Sequence, residues 1–304
     1  MSPRSRRELG EDCIDIWYCP LDGLTGSSHL LAALDDAEIA RYNAFSSRNA
    51  AAQYLGGRIL TRVALSTYAD VAERAWRFAA NAHGRPSVAE PAAHRGLHFN
   101  LSHTTGVAVL AVGRMAEIGI DIETVDRQVD VEGIGRCVFT AEEIGWVSSG
   151  RGEAAVHRFF ELWTLKEAYM KARGLGFSLD PQSFGLASAD GRLGLSCAPA
   201  CEPEPSRWQF FLSNPNPLTK ISLAIASRNH VQIRQLAYAP INGYVSGLTD
   251  QGWAQSLGDD RRNTPDRNAA ADAGAGWQLA HADAGSGRPL LEHRRVHRDP
   301  RAIG

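Results

Sequence analysis

A chain of 304 residues, 44% of them hydrophobic, is long enough for one large domain or two smaller ones and supplies a core without disulfide staples. Its formal net charge of −2 excludes the global basic field that draws proteins to nucleic acid or anionic lipid, so any anionic ligand must be held by a local cluster. Five scattered cysteines imply neither a disulfide framework nor a zinc knuckle, and no stretch approaches the ~20 apolar residues of a membrane helix; the expectation is a cytoplasmic protein with no membrane or nucleic-acid partner.

Residues 35–68 carry Tyr54, Leu55, Ile59, Leu60, Val63 and Leu65 at helical spacings. Residues 81–86, Asn-Ala-His-Gly-Arg-Pro, read as a turn, and residues 97–101 and 106–112 as strands. A third strand is expected at 118–123. The strongest helix pattern spans 153–172, stopped by Gly174 and Gly176, and further strands are expected at 208–212, 221–226 and 231–236. A long helix, a Gly/Pro turn and two strands thus occur once before about residue 115 and once after, a loose internal echo that would place a site at the seam of the halves. The expected division is 1–115, 116–246 and a tail, 247–304, whose Ala, Gly, Asp, Asn and Arg composition reads as disordered.

Four segments carry chemistry. In Ile118-Gly119-Ile120-Asp121-Ile122-Glu123 the alternation sends the three isoleucines to one face of a strand and both carboxylates to the other. Such a pair suits a cation between the two, or the polar face of an ordinary strand. Glu167 and Lys171 lie four apart on one helix face, which by itself describes a surface ion pair as well as a site. Lysine is scarce, occurring only as Lys166, Lys171 and Lys220, so its appearance where arginine would be the default is informative. Phe99-Asn100-Leu101-Ser102-His103 ends a strand in donors suited to phosphate; a Ser-His nucleophile pair is the competing reading, although adjacent strand residues point apart and no acid is placed to orient His103. Gly84-Arg85-Pro86 sets a cation at a rigid turn.

Taken together and in this order, the four segments resemble the 4'-phosphopantetheinyl transferase superfamily, in particular its two-half, monomeric, surfactin-synthetase-activating type. The resemblance runs from roughly residue 41 to 226 and leaves the tail outside it. It implies an α+β, pseudo-duplicated fold, two similar α/β halves with the active site at their interface, the coenzyme A phosphate contacts coming from the first half and the metal site and catalytic helix from the second. The implied activity is Mg²⁺-dependent transfer of the phosphopantetheine arm of coenzyme A to a serine of an apo acyl or peptidyl carrier protein, with Mn²⁺ an alternative metal. By the same resemblance Asp121, Glu123 and Glu167 would ligate the metal, Arg85, Ser102 and His103 would contact the nucleotide phosphates, Glu167 would deprotonate the carrier serine, and Lys171 would stabilise the departing adenosine 3',5'-bisphosphate. Many members carry lysine at the position of Arg85. The rival from another class is a non-catalytic protein that binds coenzyme A or a carrier; a serine hydrolase using Ser102 is a second.

Overall fold

The structure, a computed structural model, describes residues 6–126, 128–189, 192–197, 201–240 and 244–247. The tail expected beyond Gly247 lies outside the described residues. In chain order the elements are β1 (Cys13–Pro20), α1 (Ser28–Leu31), α2 (Asp36–Asn43), α3 (Arg48–Tyr68), β2 (Arg77–Ala80), β3 (Pro86–Glu90), β4 (His98–Thr104), β5 (Val107–Gly113), β6 (Ile118–Thr124), α4 (Val131–Val138), α5 (Ala141–Ser149), α6 (Glu153–Arg173), β7 (Phe184–Ala189), β8 (Arg192–Cys197), β9 (Trp208–Asn216), β10 (Thr219–Ala226), β11 (Gln232–Ala239) and β12 (Tyr244–Gly247).

The first helical pattern resolves into two helices because the sequence holds two start signals. Asp35 and Glu38 form a reciprocal capping box at the head of α2, and the Ser47 hydroxyl accepts from Ala50 N at the head of α3. The internal echo is real in the topology. β1, α3, the β2–β3 hairpin, β4 and β5 are followed by β6, α6, the β7–β8 hairpin, β9 and β10, and the two sheets have matching internal orders, β1-β5-β4 and β6-β10-β9.

The halves are stacked by strand alternation. Trp17, Cys19, Leu110 and Val112 face α3 in one core, whereas Ile14, Ile16, Val109 and Ala111 turn the other way and meet Ile118, Ile120, Ile122, Leu223 and Ile225 of the second sheet in another. Complete burial of each isoleucine of β6 contributes about 2 kcal/mol, which fixes the register of the strand that carries the carboxylates. α6 covers the opposite face of β6 and β10, so the order of layers is α3, first sheet, second sheet, α6. The expected strand at 231–236 is β11, and it does not stay in the second half: it pairs in parallel with β1 and carries β12 on its outer edge, completing the first sheet as β12-β11-β1-β5-β4. No helix among the described residues is long and apolar enough to cross a membrane.

Candidate active site

β6 and α6 approach each other more closely than side chains on both would allow. Gly119 makes this possible: a Cβ there would overlap the Ala168 carbonyl oxygen and stand 2.5 Å from Ala172 N, both backbone atoms of α6. Asp121 and Glu123 follow on the same face of β6 and are brought against the helix. Asp121 is buried and Glu123 half-buried, so the pair faces α6 instead of open solvent.

Three sequence-predicted residues meet at one point. Lys171 Nζ lies 2.5 Å from Asp121 Oδ1, donates to Ser102 Oγ at 2.9 Å and to Ile120 O at 3.3 Å, while Ser102 Oγ donates to Asp121 Oδ1 at 2.8 Å. The Ser102 hydroxyl is therefore committed to Asp121 and Lys171 instead of to His103, which removes the nucleophile-base pair a serine hydrolase needs. His103, one strand position on, is half-buried with its Nδ1 buried and lacking a hydrogen-bond partner, and burial together with the nearby Lys171 charge holds its imidazole below the usual range. Trp163 Nε1 donates to Glu123 Oε1 at 3.3 Å. Burial, then the Asp121 charge, pushes the Glu123 carboxyl up to about 8, with Glu167 adding in the same direction, which places three acidic groups within electrostatic reach of one another.

Arg85 stands elsewhere. Its guanidinium donates to Ala172 O at 2.5 Å, Ala116 O at 2.7 Å and Ile118 O at 3.2 Å, tying the end of α6 to the start of β6, and Asn81 of the same turn donates to Gly174 O at 2.8 Å. Burial draws the Arg85 pKa down, and its charge bears on His98 at the opposite end of β4 from Ser102. Sequence reading gave no role to Asn100, Trp163 or Gly119. The one available signal was for Gly119, a glycine where β-strand alternation calls for a side chain beside two carboxylates.

A hard divalent cation fits this donor set. Asp121 Oδ2 is buried without a hydrogen-bond partner, and carboxylate oxygens are the ligands Mg²⁺ takes alongside phosphate and water. Among the described residues no three His, Cys, Asp or Glu side chains form a ready-made cage, so Asp121, Glu123 and Glu167 are not brought together as a complete ligand set.

Comparison with known proteins decides the family. The profile described as "4'-phosphopantetheinyl transferase, N-terminal" matches residues 25–114, and that of the 4'-phosphopantetheinyl transferase superfamily matches residues 117–226. The chain is 34% identical over 171 residues to the 4'-phosphopantetheinyl transferase HetI of Nostoc sp., covering 56% of this chain and 72% of that protein. This chain belongs to the 4'-phosphopantetheinyl transferase superfamily. The transferase is also 27% identical over 165 residues to the putative 4'-phosphopantetheinyl transferase slr0495 of Synechocystis sp., covering 54% of this chain and 65% of that one. With the 4'-phosphopantetheinyl transferase gsp of Aneurinibacillus migulanus it shares 34% over 130 residues, 43% of this chain and 52% of the other. The two profiles meet between residues 114 and 117, in the segment between β5 and β6: the first lies within the first structural repeat and begins after β1, and the second spans β6 to β10. Nothing in these likenesses supports the binding-only alternative.

Proposed function

We propose that this transferase moves the phosphopantetheine arm of coenzyme A to a serine of an apo carrier protein, releasing adenosine 3',5'-bisphosphate. The observation that carries the reading is the convergence of Lys171, Asp121 and Ser102 on one point beside an Asp121 oxygen that is buried and unpartnered. Asp121, Glu123 and Glu167 would hold Mg²⁺, or Mn²⁺ through the same oxygen ligands. That ion, when bound, supplies charge neutralisation for the pyrophosphate and the developing transition state. Lys171 neutralises charge on the leaving bisphosphate, a role supported by its compact ammonium being hydrogen-bonded to Ser102 and Asp121. Glu167, buried on α6 one turn before Lys171, is assigned the proton of the carrier serine. Ser102 and His103 orient the nucleotide phosphates, the unpartnered His103 Nδ1 offering a donor or acceptor according to tautomer. Arg85 adds its positive charge from the start of β6, where its nitrogens hold α6 to β6.

A single chain suffices for this site, because β4 comes from one repeat and β6 and α6 from the other, so the proposed active form is a monomer. Its five free thiols suit a reducing cytoplasm. The experiment is intact-mass spectrometry of a panel of apo carrier proteins from fatty acid, polyketide and nonribosomal peptide synthesis, incubated with enzyme, coenzyme A and Mg²⁺, with and without EDTA. A gain of one phosphopantetheine arm that EDTA abolishes is the expected result. Coenzyme A bound tightly with no carrier modified would move the assignment to a binding protein.

A further inference from the structure

Among the described residues β6 has a strand partner on one side only, β10, and its other edge faces β4 with no ladder between them. A buried strand edge must find other partners for its peptide groups. Here side chains provide them. Asn100, 5% exposed, accepts from Ile120 N through Oδ1 at 2.9 Å; Arg85 Nη2 donates to Ile118 O; and Lys171 Nζ donates to Ile120 O. Ile120 is thus gripped at its N–H by the first repeat and at its carbonyl by α6, and the next residue is Asp121. Asn100, Ser102 and Thr104 are alternate residues of β4 and share one face; they reach Ile120 N, the Asp121 carboxylate and the Thr124 hydroxyl in turn. Three attachments in step with the pleat link β4 to β6 where no ladder does, the first to a peptide group and the other two to side chains.

We propose that Asn100 is a positioning residue for the transfer reaction: by accepting the Ile120 amide it fixes the peptide that carries Asp121 and so aims the carboxylates of β6 at their ligand. This rests on the reading of Asp121 as a metal ligand, and the experiment separates the two. Deuterium exchange is followed by mass spectrometry on the metal-free full-length protein, and the Mg²⁺ concentration for half-maximal transfer is measured on the same preparations, for wild type, Asn100→Ala, Asn100→Asp and Asp121→Asn. In wild type the Ile120 amide should exchange slowly although no strand pairs with it. In Asn100→Ala, exchange over residues 118–122 should accelerate while α3 and β5 stay protected, and half-saturation by Mg²⁺ should rise about tenfold or more, the scale of lost outer-shell support, with the carrier KM unchanged. Asn100→Asp, which keeps an oxygen at the acceptor position, should retain the protection. A wild-type Ile120 amide exchanging as freely as a solvent-exposed one would overturn the proposal without any variant. So would Asn100→Ala with wild-type Mg²⁺ half-saturation while Asp121→Asn raises it. If Asp121→Asn itself leaves the Mg²⁺ dependence unchanged, the metal assignment of Asp121 fails, and slower wild-type exchange at Ile120 than in Asn100→Ala still upholds the hold on the strand.

Discussion

At the scale of the residue, the site depends on a compact cation that touches three oxygens at once. Lys171 Nζ reaches Asp121, Ser102 and the Ile120 carbonyl, a cluster that the wider planar fork of arginine does not match. Lys171→Arg is therefore expected to fail nearly as badly as Lys171→Ala in single-turnover release of adenosine 3',5'-bisphosphate; near-wild-type turnover by the arginine variant would show that only charge matters. Asp121→Ala removes one preorganised electrostatic group, an effect of about 3 kcal/mol, and should slow turnover at saturating Mg²⁺ roughly a hundredfold or more. Glu123 gives the site a pH signature. Its carboxyl, raised from 4.5 to about 8, keeps a proton in the folded metal-free protein that the unfolded chain gives up, so its contribution to stability is fully present below about 4.5 and is lost as pH rises through about 8. Melting temperatures in EDTA between pH 5 and 8.5 should fall more steeply for wild type than for Glu123→Gln, and parallel curves would contradict this. The scarcity of lysine carried a mixed message: Lys166 and Lys220 are almost wholly buried against Glu143 and Glu161, so two of the three serve buried ion pairs in the scaffold and only Lys171 stands among the site residues.

At the scale of the element, close packing of β6 on α6 sets where the carboxylates of β6 stand. Gly119→Ala would push a methyl into the backbone of α6, where no side chain can rotate away, at a cost of about 1–3 kcal/mol or more. Urea denaturation should show the loss of stability, and Mg²⁺ half-saturation should rise in the fraction that remains folded; a variant of wild-type stability would mean that strand and helix are farther apart than they stand here. The elements legible in the sequence were those with one dominant pattern: β6 by alternation, β5 by its apolar run, α6 by length and its glycine stop. β1 escaped because both of its faces are buried, so Cys13–Pro20 shows no clean alternation despite Ile14, Ile16 and Trp17. The β2–β3 and β7–β8 hairpins are short and rich in alanine, serine or glycine, which leaves little periodicity to read. α5 was legible in principle, since Thr140 and Glu143 make a capping box in both sequence and structure. The candidate site residues came from motifs; the hydrogen bond that Asn100 accepts from a backbone amide and those that Arg85 donates to backbone carbonyls did not, because a carbonyl or amide partner leaves no mark in the sequence.

At the scale of the whole molecule, the strand that follows the second repeat is tied back into the sheet of the first. Asp15 on β1 is completely buried, accepts from Tyr68 OH at 2.6 Å and receives Arg234 Nε at 2.6 Å and Nη2 at 3.0 Å from β11. Arg234→Ala leaves that carboxylate without its closest cation, and breaking such a pair from one side costs about 3 kcal/mol. Equilibrium denaturation should register the loss as one cooperative shift, because the affected pair belongs to the sheet on which β4 also lies. Two separate transitions would instead show the repeats unfolding independently.

The parallel pairing of β1 with β11 also orders the events of synthesis. The second sheet, β6-β10-β9, has all its strands once Ala226 has been made, whereas the first, begun at Cys13, lacks the neighbour of β1 until Ala239 has left the ribosome. The part of the polypeptide made first is therefore the part closed last, and the strand that presents Asn100 and Ser102 belongs to a sheet whose completion waits on the distant end of the domain.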